Sequence, residues 1–226
     1  MLIVLEGLDG AGKSTQLRML TSRLEESGRQ VEYLHFPRYD APIYGGLISR
    51  FLRGDFGSID SVHPQLVALL FAEDRRDAAA QIREWLDAGR CVVLDRYVYS
   101  NIAFQCAKLK DRAESDSLRD WIFDVEYTRF GIPKPDLNLF LDVPIDFVDA
   151  RLKDNREADA DRSYLAGKGD IHEADISFQK EVRRLYREQC ALDPGFIRID
   201  CSDELGKMLP AEAIFARIRS EIDRLI

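Results

Sequence analysis

Directly behind the apolar run Leu2-Ile3-Val4-Leu5 stands Gly7-Leu8-Asp9-Gly10-Ala11-Gly12-Lys13-Ser14, and few short stretches restrict a fold as tightly. The spacing is G-x-x-x-x-G-K-S/T. Glycines at 7, 10 and 12 let the backbone turn so that its N–H groups converge on phosphate oxygens. Lys13 can reach the β- and γ-phosphates, and the Ser14 hydroxyl can ligate Mg²⁺. A helix starting near Lys13 adds the positive end of its dipole. The alternative is a glycine-rich turn with a chance lysine. The buried-type strand before the motif and the helical pattern after it favour a nucleotide-binding segment covering Gly7 to Ser14 and the adjoining Thr15.

The rest of the chain alternates. Leu17, Leu20 and Leu24 predict a helix over 15–27 that Gly28 ends. Val31 to Phe36 reads as a strand closed by Phe36-Pro37-Arg38-Tyr39-Asp40, where Pro37 sets the backbone direction. The aromatics there could stack a base and Arg38 could hold a phosphate, or Phe36 could simply fill the core. Ile43–Leu52 looks helical and 54–61 is a polar loop. A long helical stretch follows over 63–88, with a possible break near Ala78. Phe71 and Arg75 lie four apart and share a face of it, offering a ring and a guanidinium, unless Arg75 belongs to a solvated charged face.

Cys91-Val92-Val93-Leu94 is a buried-type strand that delivers Asp95-Arg96-Tyr97 at its carboxyl end. Ligands of open α/β sheets bind beyond such ends. Asp95 could therefore hold Mg²⁺ and Arg96 clamp a phosphoryl group; a salt-bridged strand end is the plainer alternative. Helical patterns cover 100–109 and 117–130, a strand 137–141 ends at Asp142, and 145–153 is helical. Residues 154–171 lack apolar periodicity and contain Arg156, Arg162 and Lys168, which reads as a mobile basic lid or as a solvated connection. Asp170 to Glu173 lead into a helix that runs through Tyr186, with Phe178, Val182 and Leu185 on one side, and a strand at 196–199 and a helix over 210–226 complete the chain. Strands near 2–6, 31–36, 91–95, 137–142 and 196–200 interleaved with helices predict a three-layer α/β fold around a five-stranded parallel sheet.

A length of 226 residues suits one domain with a well-buried core. A formal charge of −8 argues against a nucleic-acid binder. The four cysteines show no metal or redox spacing and read as reduced thiols. Met1 leads straight into a strand and no run is long enough to span a bilayer, so the reading expects a cytoplasmic protein without signal peptide or membrane partner.

Five segments together resemble the bacterial thymidylate kinases: Leu5 to Thr15, Phe36-Pro37-Arg38-Tyr39, Phe71-Ala72-Glu73-Asp74-Arg75, Leu94 to Asn101, and Gly131 to Asp136. The resemblance runs nearly end to end and implies a P-loop kinase that moves the γ-phosphoryl of ATP to dTMP with Mg²⁺. It implies that Phe36 and Phe71 pack against thymine, that Arg75 bonds the O4 edge and that Asn101 is base-side. Tyr39 and Phe104 would lie near the deoxyribose, while Arg38 and Arg96 hold the 5′-phosphate. Asp9 would touch the sugar 3′-hydroxyl, the donor phosphates or the metal, whose other candidate ligands are Ser14 and Asp95. Lys13, Asp9, Asp95 and Arg96 form the catalytic set. Some relatives carry an arginine where this chain has Gly10, and with glycine there the family places basic residues in the lid; Arg156, Arg162 and Lys168 are the candidates. Glu173 is a candidate acceptor-site residue, with His172 before it where some relatives have an aromatic. The resemblance also implies a homodimer, formed through helices in the 45–85 region.

Two other readings make sharper demands. The nearest is another kinase of the same fold, acting on a deoxynucleoside or on UMP or CMP. A nucleoside kinase needs a general base for a hydroxyl, and Phe36-Pro37-Arg38 offers none after the second strand, where arginine suits an acceptor that already carries phosphate. A GTP-dependent switch would want an Asn-Lys-x-Asp base reader, and the chain contains no such tetrapeptide.

Overall fold

The apolar runs become strands β1 (Leu2–Gly7), β2 (Val31–His35), β3 (Cys91–Asp95), β4 (Leu137–Asp142) and β5 (Phe196–Asp200). The computed structural model describes residues 1–157, 163–173 and 175–225, with side-chain detail excluding 154–157 and 163. All neighbouring strands are parallel, in the order β2-β3-β1-β4-β5. The three central strands are buried along their whole length, which explains their nearly continuous apolar sequences. From β1 the chain crosses to β2 at one edge and then returns through β3, past β1, to β4 and β5, so the connections leaving the neighbouring strands β1 and β4 run in opposite directions. That divergence opens a crevice at the carboxyl ends of the central strands, where Gly7 and Asp95 finish β1 and β3.

In chain order the helices are α1 (Lys13–Glu26), α2 (Tyr44–Leu52), α3 (Pro64–Asp87), α4 (Val98–Cys106), α5 (Arg112–Phe123), α6 (Ile145–Glu157), α7 (Ile176–Leu192) and α8 (Ala211–Ile222). Helices α1 and α8 pack together on one face of the sheet, and α3, α4 and α7 cover the other. The three-layer, five-stranded parallel expectation holds.

Three local expectations change. Helix α3 runs through Ala78 without a break; its alanines are strong helix formers, and Ala78 and Ala79 are small enough to lie buried against the core. The stretch expected as one helix over 117–130 ends at Phe123 and continues as a π-helix, Asp124–Arg129. Helix α7 runs on past Tyr186 to Leu192 from its start at Ile176, with the Asp175 carboxylate accepting the Ser177 N–H as its cap. Of the expected lid, α6 extends to Glu157 and Ser163–Leu165 form a short 3-10 turn. That described part is docked: Leu165 joins Ile48, Phe51, Leu52 and Val67 in a small apolar cluster separate from the main core, and Ile171 N–H donates to Leu52 O at 3.0 Å.

Candidate active site

The phosphate end of the crevice grows from the loop between β1 and α1. Gly10 and Gly12 take φ of 72° and 80°, left-handed values that account for glycine at both positions. Leu8 and Ala11 are buried, so they present backbone rather than side chain to a ligand. Ser14 and Thr15 open α1. Lys13 folds onto the loop, donating from Nζ to Leu8 O at 3.1 Å. Burial, with Arg96 nearby, holds its ammonium below the usual lysine range against the opposing pull of Asp95, Asp9 and Glu6.

Arg96 stands beside this loop. Its own φ of 68° is left-handed, an unfavourable state for a non-glycine residue and one that clusters at functional sites. Nη2 pairs with Asp9 Oδ1 at 2.5 Å, and Nη1 donates to Ser100 Oγ at 3.2 Å. The guanidinium lies 5.0 Å over the Phe104 ring, a cation–π distance. Burial works to raise the Asp9 carboxyl, but the charges of Arg96 and Lys13 outweigh it and hold the group below the usual carboxylate range. Asp95 is buried at the tip of β3, and its Oδ1 has no hydrogen-bond partner among the described residues.

The base end lies under α3. Arg75 is buried and donates from Nε and Nη2 to Glu126 at 2.5 and 2.7 Å. Asn101 Nδ2 joins the same carboxylate at 2.9 Å and Ala68 O at 3.0 Å, while its Oδ1 is buried without a partner. Phe36 is buried 5.7 Å from Tyr97, and Phe71 lines the open side. Glu126 was not among the expected residues. The signal for it is its spacing: it falls four after buried Ile122 on one helical face, so a carboxylate stands in line with core positions.

Tyr39 and Tyr164 roof the crevice, stacked at 3.8 Å and 5°. Asp170 and His172 complete that side. Burial, with Asp9 and Glu173 adding like charge, pushes the Asp170 carboxyl up to about 7. Burial, with Lys108 and Arg96, holds the His172 imidazole well below its usual range. Gln179 on α7 ties the phosphate end to this side, donating from Nε2 to Asp9 Oδ2 at 3.3 Å and to His172 O at 2.9 Å.

The result is one cleft of about 540 Å³, partly open to solvent, into which Asp9, Phe36, Tyr39, Phe71, Arg75, Arg96, Asn101 and Phe104 all converge. Other expected residues lie elsewhere. Arg38 is turned onto α3, clamped by Asp74 at 2.9 Å and Asp77 at 2.6 Å. Lys168 pairs with Asp55, the acidic residue after α2, at 2.7 Å, rather than with the phosphate loop. The side chain of Arg156, and Arg162 altogether, lie outside the described residues. Glu173 is buried near Asp170. Among the described residues no cluster of three or more His, Cys, Asp or Glu could form an all-protein metal cage.

Comparison with known proteins agrees with this geometry. The family model described as thymidylate kinase matches residues 5–209. The thymidylate kinase of Mycobacterium tuberculosis is 34% identical over 191 residues, spanning 84% of this chain and 86% of its own. The human thymidylate kinase is 41% identical over 144 residues, 64% of this chain and 61% of its own. The solved thymidylate kinase structure from Candida albicans superposes with a TM-score of 0.71 at 26% identity, covering 99% of this chain and 91% of that one. The chain belongs to the thymidylate kinase family, enzymes that phosphorylate dTMP.

Proposed function

We propose that the cleft holds dTMP with its base under α3 and its phosphate at Arg96, facing an ATP whose phosphates lie on the Gly7–Thr15 loop. The observation that carries this reading is the continuity of one cleft from the Arg75–Glu126–Asn101 cluster to the Arg96–Asp9 pair. With two of its donor positions spent on Glu126, Arg75 keeps Nη1 for the O4 edge of thymine. Asn101 Oδ1, buried and unpartnered, suits the thymine N3–H. Cytosine reverses both groups, presenting a donor and a bare acceptor, so it would leave both side chains opposed. Phe71 and Phe36 supply ring surface to the base, and Tyr39 and Phe104 enclose the sugar.

The acceptor phosphate is already a nucleophile at neutral pH, so the protein's part is alignment and charge neutralisation. Arg96 holds the acceptor and Lys13 offsets charge on the transferring group. Arg156 and Arg162 are the lid candidates for the remaining cationic contact. The orphaned Asp95 Oδ1 and the Ser14 hydroxyl fit Mg²⁺, which takes few protein ligands and completes its shell with water and phosphate oxygens. When bound, the ion would neutralise phosphate charge. Asp9, already engaged by Arg96, fits better as an acceptor-side or water-mediated contact.

Exposed Ile43, Leu47, Leu66 and Leu69 on and beside α2 and α3 support pairing of two copies through these helices. Sedimentation analysis should give a dimer that Leu66→Glu dissociates. No helix among the described residues is long and apolar enough to cross a membrane, in keeping with a cytoplasmic enzyme. The activity test is a panel of nucleoside monophosphates with ATP and Mg²⁺: dTMP should be the best acceptor, and a better pyrimidine ribonucleotide would overturn the assignment of the cleft.

A further inference from the structure

Glu6 is the one charged residue within β1 and is fully buried. It does not line the cleft, and nothing in the phosphorylation scheme above uses it. Burial raises its carboxyl above the usual range, so a charge in this strand is costly unless its hydrogen bonds are complete. They are dense. The carboxylate accepts from Tyr97 N at 2.8 Å, from Ser100 N at 3.1 Å, from Ser100 Oγ, and from Tyr186 Oη at 3.0 Å.

The two backbone donors bracket the start of α4, whose N-cap residue Tyr97 supplies no side-chain cap. Glu6 therefore caps α4 from a neighbouring element. The turn it fixes is the one immediately after Arg96, where φ is 68°. A second path reaches the guanidinium itself. Arg96 Nη1 can only donate, so Ser100 Oγ accepts from it. The single Ser100 proton then goes to Glu6 directly, or to Tyr186 Oη 2.7 Å away, whose own proton goes on to Glu6. Either way the chain of donors ends on the Glu6 carboxylate.

We propose that Glu6 is a positioning residue for Arg96: through the backbone turn and through Ser100 it sets the direction of the guanidinium that receives the acceptor phosphate. The proposal rests on the reading of Arg96 as the acceptor-phosphate ligand. Glu6→Gln is nearly isosteric but cannot satisfy the site. With its amide nitrogen toward Tyr97 N and Ser100 N, donors face donors. Turned the other way, the amide donates to Ser100 and Tyr186, and the hydroxyl protons lose their terminal acceptor.

Steady-state kinetics with separate KM values for dTMP and ATP, alongside thermal denaturation, test this on Glu6→Gln, Ser100→Ala, Tyr186→Phe, Arg96→Ala and the Glu6→Gln/Arg96→Ala double variant. Glu6→Gln and Ser100→Ala should each raise KM for dTMP about tenfold, a coupling typical of residues in one network, and leave KM for ATP unchanged. Glu6→Gln should add nothing to Arg96→Ala. Tyr186→Phe keeps the direct Glu6–Ser100–Arg96 path, so it should lower Tm without moving KM for dTMP. The proposal is overturned if Glu6→Gln lowers Tm alone, as Tyr186→Phe does, or if its effect multiplies with that of Arg96→Ala. If Arg96→Ala leaves KM for dTMP unchanged, the reading of Arg96 itself falls. Should Glu6→Gln fail to fold, Ser100→Ala carries the same prediction: an unchanged KM for dTMP would overturn it.

Discussion

Glu126 grips Arg75 through two parallel hydrogen bonds, 2.5 and 2.7 Å long, with both side chains sealed from solvent. Such a pair is weak evidence of stability as a unit, because desolvation offsets much of the attraction, but removing one partner strands a buried charge at a cost of about 3–5 kcal/mol. Glu126→Ala should therefore lower unfolding stability by that order in urea titration and raise KM for dTMP. Glu126→Gln keeps one acceptor for Arg75 and should fall between. A KM for ATP that rose in step would place the pair outside the acceptor site.

Phe71 stands half-buried on the open wall of the cleft, so it can be truncated with little damage to the core. If its ring stacks on thymine, Phe71→Ala loses about 1–3 kcal/mol of base binding. Isothermal titration with dTMP should show that loss, while Phe71→Leu recovers only part of it.

Lys168 and the lid arginines should separate cleanly. Lys168 is held by Asp55, so Lys168→Ala should leave kcat unaltered. An arginine on the transferring phosphoryl contributes about 10³-fold or more to kcat, so Arg156→Ala or Arg162→Ala should show a loss of that order. Pre-steady-state turnover of the three single variants decides it.

Asp170 supplies a pH signature. Its carboxyl is raised from 3.8 to about 7 in the folded chain, so between those values the folded state binds more protons than the unfolded one. Stability should fall as pH rises through this window and level off above it. Asp170→Asn removes the group from that balance. Its Tm should exceed that of the parent at pH 8, and the gap should close toward pH 4. A gap that is constant with pH would mean that the carboxyl titrates normally.

Much of this was readable from the residues because the strongest features are local. Glycine spacing, strand-length apolar runs and the acidic-basic pair at the end of β3 each act within a few residues, and all five strands lie where the alternation placed them. What stayed hidden depends on partners distant in sequence. Arg38 looks like a free phosphate ligand until α3 brings Asp74 and Asp77 against it. Glu126 needs the π-helical turn of 124–129 and a neighbour at position 75 before its carboxylate has a purpose. Lys168 reads as a lid cation because nothing nearby in sequence announces Asp55.

The small cluster of Ile48, Phe51, Leu52, Val67 and Leu165 lies apart from the main core. Residues 163–173 are held there by these few side chains, by the Ile171–Leu52, Gln179–His172 and Arg53–Tyr164 hydrogen bonds, by the Lys168–Asp55 pair and by the Tyr39–Tyr164 stack, not by pairing with the sheet. Amide hydrogens there should exchange with solvent long before those of β1 and β3. If nucleotide enters and leaves by an opening of this segment, the strands that carry Asp95 and lead into Lys13 and Arg96 keep their registration from one turnover to the next.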